Sequence, residues 1–121
     1  MSQVWRVRLS DQAEQDLLEI AQWTTENFGA RQAEQYVETM LLALDSLSDG
    51  PLVIGSKPRD ELGLGIRTLH MARQGRKGRH FVVFRQAAGN DPILDILRFL
   101  HDSMDLARHL PAANDSLNNS F

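Results

Sequence analysis

The sequence has no cysteine among its 121 residues, so a disulfide framework and a thiolate metal site are excluded. No stretch approaches the roughly 20 apolar residues of a transmembrane helix, and the N-terminus lacks the basic and apolar regions of a signal peptide. No glycine-rich segment is followed by a helical pattern, so a nucleotide-binding fingerprint is absent. We therefore expect a cytoplasmic protein that uses no metal or other cofactor and contacts no membrane.

Charge is unevenly distributed along the chain, although length and a hydrophobic content of 42% predict one ordinary globular domain. The net charge of −3 argues against general nucleic-acid binding, and we expect no direct sequence-specific binding of nucleic acid. Residues 10–49 carry nine acids against one base, whereas residues 57–101 carry nine bases against four acids. This asymmetry permits a local positive field on an acidic protein.

Four segments have the composition of β-strands, being rich in β-branched, aromatic or leucine residues between turn residues. They are Val4–Leu9, Gly65–Met71, His80–Arg85 and Pro92–His101. Short glycine-containing links join the last three, which favours antiparallel neighbours in a meander.

Two amphipathic helices follow the first strand. Ser10 is a good N-cap for the first, which extends to Phe28 and is ended by Gly29. The second carries an apolar stripe from Ala33 to Leu47. Because the link around the glycine is so short, the helices fold back as a hairpin, and each lays its stripe on the sheet.

The complete pattern predicts an α+β fold, a two-layer sandwich in β-α-α-β-β-β order with the helical hairpin packed on an antiparallel sheet. Residues 52–64 are predicted to form a long loop, and Ser103 to cap a short C-terminal helix. Residues 1–110 then form the domain, and residues 111–121 form a disordered tail rich in Asn and Ser.

Three arginines lie inside predicted strands, namely Arg67, Arg85 and Arg98. One hypothesis gathers them on one face with His101 at the strand end, where guanidinium groups bind carboxylate or phosphate. The alternative pairs each arginine with a nearby acid and gives it a purely structural role. Register is not readable from the sequence, so both remain open. His101 is likewise either a general acid or base or a structural residue.

Other candidates are weaker. The basic tip, residues 73–79, either contacts phosphate or an acidic partner, or is a solvated turn. One hypothesis makes His70 and His80 a cross-strand pair that binds a metal, but such a site would need a third ligand. Trp23 lies beside the stripe of the first helix, which suits either a core residue or a partner-binding patch.

Several fragments taken together resemble the ParE branch of the ParE/RelE toxin superfamily, and the resemblance covers residues 4–110. The fragments are Val7-Arg8-Leu9-Ser10, Asp16-Leu17, Phe28-Gly29, Gln32-Ala33, Tyr36, the 59–67 loop, Phe84-Arg85, Ile96-Leu97-Arg98 and His101-Asp102-Ser103-Met104-Asp105. Their order and spacing carry the resemblance.

The resemblance implies the toxin of a type II toxin–antitoxin pair, which inhibits DNA gyrase by binding and therefore needs no catalytic residues. Its cognate ParD-like antitoxin would form a hetero-oligomer with it, folding a disordered segment as a helix on the helical hairpin. The partner-binding residues expected are Trp23, Phe28, Arg67, Arg85 and Arg98.

The alternative is a RelE-like endoribonuclease that cuts mRNA on the ribosome. Such an enzyme needs a base, an acid and a cationic group at the phosphate, and the candidates are Lys57, Arg67, Arg85 and His101. The single tyrosine, Tyr36, is placed on the second helix, far from the sheet cleft. Together with the acidic net charge, this favours the non-enzymatic function.

Overall fold

A five-stranded mixed sheet lies under two helices in the computed structural model, which describes residues 4–110. The strands are β1 (Arg6–Leu9), β2 (Ser56–Pro58), β3 (Ile66–His70), β4 (His80–Gln86) and β5 (Ile93–His101), arranged in the order β1-β5-β4-β3-β2. The α+β two-layer class and the β3-β4-β5 meander are confirmed. The tail predicted at residues 111–121 lies outside the described residues.

Two details of the predicted sheet are wrong. β1 runs parallel to β5 rather than antiparallel to a neighbour, because its partner is the last strand of the chain and no short hairpin constrains it. The predicted loop at residues 52–64 contains β2, which pairs antiparallel with β3. A three-residue strand ending in proline is too short to show an alternating pattern.

The helical hairpin is confirmed as α1 (Asp11–Phe28) and α2 (Ala30–Ser46). The Ser10 hydroxyl accepts a hydrogen bond from the Ala13 N–H at 3.0 Å and caps α1. Gly29 alone separates the helices, with a φ of 93° that a residue with a side chain rarely adopts. No helix within residues 4–110 is both long and apolar enough to cross a bilayer.

Apolar side chains fill both faces of the sheet. The larger cluster lies between the helices and the sheet and includes Met40, Leu69, Phe84 and Ile96. A smaller cluster lies on the other face, where Leu62, Leu106 and Leu110 pack with Ile66, Val83 and Leu100. The helix-free face of the sheet is therefore partly covered by these side chains.

Two irregularities shape the end of the chain. Val83 pairs with Arg98 but Phe84 pairs with Ile96, so Leu97 is an extra residue in a β-bulge. The predicted C-terminal helix is a short 3₁₀ helix, Leu106–His109. Ser103 does not cap it, because the Ser103 hydroxyl and N–H both bond to the His101 ring at 2.7 and 3.2 Å.

Candidate partner-binding site

A largely apolar pocket of about 520 Å³ lies between the helical hairpin and the end of the sheet. Its apolar wall includes Ile20, Trp23, Phe28 and Met104, and its polar floor includes Tyr36, Arg79, His80 and His101. An apolar cavity with a few directed polar groups is the usual form of a binding site in proteins.

Trp23 and Phe28 form the outer wall of this pocket. Their rings meet edge to face with centroids 5.8 Å apart, and the two residues are 57% and 58% exposed. The structure therefore brings together the two aromatic residues that the sequence assigned to partner binding. Their contact keeps each ring in place while leaving apolar surface open to solvent.

Tyr36 lies on α2 as predicted, but on the pocket floor rather than far from the sheet, so its predicted distance from the sheet is wrong. The Arg79 backbone N–H donates to the Tyr36 hydroxyl at 2.9 Å, and this hydroxyl contacts His80 Nδ1 at 2.6 Å. Because the amide can only donate, the hydroxyl proton is free to be donated to Nδ1. His80 is then a neutral imidazole with its proton on Nε2.

Burial keeps His80 neutral. Burial, followed by the neighbouring charge of His101, lowers the pKa of His80 to about 4. The two imidazole rings lie 5.2 Å apart because the residues pair directly across β4 and β5. Burial also raises the pKa of Tyr36. Tyr36 and His80 therefore offer neutral hydrogen-bonding groups on the pocket floor, beside the charged guanidinium of Arg79.

Asp102 links the pocket floor to the opposite face of the sheet. Its carboxylate accepts from His70 Nε2 at 2.9 Å and from Arg79 Nε at 3.3 Å. The hydrogen bond from His70, followed by the charge of Arg79, lowers the pKa of Asp102. The predicted His70–His80 pair is wrong, because His70 lies opposite Phe81 and His80 lies opposite His101.

The strand arginines do not gather on one face, so the hypothesis of a guanidinium cluster is wrong. Arg67 lies opposite Phe84 of the larger apolar cluster, whereas Arg85 lies opposite Ile66 of the smaller one. Alternation of side chains along a strand therefore puts these two arginines on opposite faces. Arg98 pairs with Asp16 of α1 at 2.7 Å. A role for each in partner binding stays a prediction.

The four residues proposed for the ribonuclease alternative are also separated. Lys57 lies on the edge strand β2, and Arg67 and Arg85 lie on opposite faces of the sheet. His101 pairs with His80 at the far end of β4, five positions before Arg85. Five residues of strand span about 16 Å, so these groups do not meet at one substrate atom.

The basic tip is anchored rather than free. Arg76 donates to the Thr39 hydroxyl at 2.9 Å and to Glu38 at 3.3 Å, which ties the β3–β4 hairpin to α2. Within residues 4–110, no group of three or more His, Asp or Glu side chains could hold a metal ion.

Sequence reasoning missed the Tyr36–His80 contact. A single signal pointed to it: Tyr36 lies on the buried stripe of α2, and a buried tyrosine hydroxyl needs a polar partner. His80 opens a strand that the stripe covers. The choice of partner depends on the helix crossing the sheet at this point, which no local pattern specifies.

Known proteins of one family resemble this chain over most of its length. The family model for the ParE toxin of the type II toxin–antitoxin system parDE matches residues 7–106. Toxin ParE1 of Mycobacterium tuberculosis is 31% identical over 105 residues, which cover 87% of this chain and 97% of that protein.

Solved structures have the same fold. A chain of the chromosomal ParDE toxin–antitoxin system from P. aeruginosa superposes with a TM-score of 0.63 at 20% identity, covering 83% of this chain and 98% of its own. A chain of the RelBE2 toxin–antitoxin complex from Mycobacterium tuberculosis gives a TM-score of 0.51 at 26% identity, covering 81% and 98%. With the family match over residues 7–106, the chain belongs to the ParE toxin family of type II toxin–antitoxin systems.

Proposed function

We propose that this toxin acts in the cytoplasm by binding and inhibiting DNA gyrase, and that a ParD-like antitoxin neutralises it in a toxin–antitoxin hetero-oligomer. The match to the ParE family over residues 7–106 is the observation that carries this proposal. Similarity to Toxin ParE1 along 97% of that protein supports it.

Inhibition by binding suits the geometry better than catalysis does. The candidates for an RNase mechanism, Lys57, Arg67, Arg85 and His101, are distributed over two faces and both ends of the sheet. General acid–base catalysis requires such groups within hydrogen-bond reach of one substrate. A protein that acts by occupying a surface of its target has no such requirement.

The aromatic pocket is the proposed antitoxin site. Both solved relatives come from toxin–antitoxin systems, and a helix of an antitoxin would place its apolar face against Trp23 and Phe28. Arg85 is exposed and makes no ion pair within residues 4–110, but it lies on the helix-free face about 16 Å from the pocket, so it would contact a segment of the antitoxin that continues beyond the pocket. Ordering of a disordered segment would reduce the net affinity but permit a large contact.

A supercoiling assay with purified gyrase tests the proposal. Micromolar toxin should inhibit supercoiling, and an equimolar amount of the antitoxin encoded beside it should restore activity. Primer extension on translating ribosomes should show no new mRNA ends. Unaffected gyrase together with ribosome-dependent cleavage would establish the endoribonuclease alternative instead.

A double variant separates the two mechanisms within one chain. Arg85→Ala with His101→Ala removes two of the four groups that the ribonuclease alternative needs. Under the proposal this variant should still inhibit gyrase and arrest growth, provided that its circular dichroism spectrum matches the wild type. Loss of toxicity in a folded double variant would count against inhibition by binding.

A further inference from the structure

Two large apolar side chains project into solvent from a short segment that follows α2 and ends at the first residue of β2. We call residues 50–56 the presenting loop. Leu52 and Ile54 are 79% and 89% exposed, whereas Val53 between them packs against the larger apolar cluster. Alternation therefore anchors the loop through its middle residue and turns its neighbours outward.

Hydrogen bonds hold the presenting loop in this conformation. Arg67 Nε donates to the Pro51 carbonyl at 2.9 Å and to the Ser56 hydroxyl at 2.7 Å. Arg73 Nη2 donates to the Ile54 carbonyl at 3.0 Å, and the Ser56 hydroxyl donates to the Pro51 carbonyl at 2.7 Å. A loop already ordered in the free protein loses little conformational entropy on binding. The exposed side chains of Leu52 and Ile54, the two apolar tips of the loop, are thus preorganised for contact.

Three cations lie at the presenting loop: Arg67 and Arg73 bond to its oxygens, and Lys57 follows it directly in the sequence. Within residues 4–110, Lys57, Arg67 and Arg73 make no ion pair, since both arginines donate to neutral oxygens. Arg73 Nη1 is buried without a hydrogen-bond partner among these residues. Three unpaired cations next to exposed apolar side chains favour a partner that presents carboxylates around an apolar recess.

We propose that the toxin binds its target through the presenting loop, and that the target offers an apolar recess bordered by Asp and Glu side chains. This inference rests on the proposed function in taking that target to be gyrase. The partner is a protein surface rather than nucleic acid, because a phosphate backbone offers no apolar recess for Leu52 and Ile54. The presenting loop shares no residue with the aromatic pocket, so antitoxin and target occupy different surfaces.

The double variant Leu52→Ser, Ile54→Ser tests the inference, with Leu64→Ser as its matched control. Leu64 is 83% exposed in another loop. The double variant should need at least tenfold more toxin for half-inhibition of gyrase supercoiling, and the control should stay within twofold of the wild type. Both should keep the wild-type thermal midpoint and bind the antitoxin normally.

A charge variant gives a second readout that does not depend on the apolar tips. Lys57→Glu should weaken binding to gyrase several-fold in 50 mM salt, and the loss should shrink at 300 mM salt because screening shortens the range of the repulsion. An affinity equal to the wild type at low salt would contradict an acidic partner surface.

The outcomes separate the inference from the function on which it rests. If the wild type inhibits gyrase and the double variant does so equally well, the inference is overturned and the proposed function stands. If the wild type leaves gyrase unaffected, the proposed function fails. The inference is then tested by comparing growth arrest in cells that express the wild type or the double variant. A double variant that still arrests growth like the wild type then overturns it, and one that binds antitoxin but no longer arrests growth supports it.

Discussion

Asp16 of α1 and Arg98 of β5 form a two-point ion pair, with Nε–Oδ2 at 2.7 Å and Nη2–Oδ1 at 3.1 Å. The same carboxylate accepts the backbone N–H of Phe99 at 3.0 Å and the amide of Gln12 at 3.1 Å. β1 ends at Leu9, opposite the middle of β5. β1 therefore leaves the second half of β5 without a strand partner on that side. Asp16, which is only 5% exposed, accepts the Phe99 N–H there and fixes α1 on the sheet.

Replacing Asp16 by alanine should destabilise the fold by about 3–5 kcal/mol, because a partly buried guanidinium and a buried amide both lose their acceptor. Asp45→Ala is the matched control, since Asp45 is exposed on α2 and should change stability by less than about 0.5 kcal/mol. Urea unfolding measures both. A loss below about 1 kcal/mol for Asp16→Ala would show that this ion pair does not fix the helix.

The sequence predicted those elements whose signals are local. Both helices followed from apolar spacing, and Ser10 and Gly29 marked their boundaries correctly. The meander followed from turn residues between apolar runs. Trp23 and Phe28 were assigned to partner binding because they lie at the margin of the hairpin, and they line one pocket.

The failures share a physical cause, which is long-range pairing. One extra residue at Leu97 shifts the register of β5, so the direction of Arg98 could not be read from alternation. The partners of Arg67 are carbonyl and hydroxyl oxygens rather than acids. Composition shows where an arginine occurs but not which backbone oxygen folding will bring to it.

Arg67 and Arg85 should differ sharply in their effect on stability, although both lie inside strands. Arg67→Ala removes three hydrogen bonds to residues 51 and 56 and should cost about 1.5–3 kcal/mol. Arg85→Ala, at an exposed site, should stay within about 0.5 kcal/mol of the wild type. Urea unfolding gives both values, and hydrogen exchange at Ser56 should accelerate only in Arg67→Ala. Equal losses would contradict the distinction.

Stability should fall as pH decreases below neutrality because His80 resists protonation in the folded state. Its pKa is about 4 when folded and 6.5 in the reference state, so between these values the unfolded chain binds a proton that the native protein does not. The shift corresponds to about 3 kcal/mol, which partial solvent exposure reduces to about 1–2 kcal/mol.

Chemical denaturation at pH 7 and pH 5 tests this dependence, with His80→Gln as the control. Glutamine retains an acceptor for the Tyr36 hydroxyl but does not titrate. The window from pH 7 to pH 5 avoids most titration of carboxylates. The decrease between the two pH values should be smaller in His80→Gln than in the wild type, and equal decreases would remove His80 as the cause.

Trp23 should dominate antitoxin binding if the aromatic pocket is the docking site. Trp23→Ala removes the largest apolar wall of the pocket and its edge-to-face contact with Phe28. Truncating such an anchor typically costs about 2 kcal/mol, or about 30-fold in Kd. Leu18→Ala is the matched control, because Leu18 is also an exposed apolar residue of α1 but does not line the pocket. Calorimetric titration with the antitoxin should give an unchanged Kd for Leu18→Ala, and equal weakening by both variants would place the antitoxin elsewhere on the hairpin.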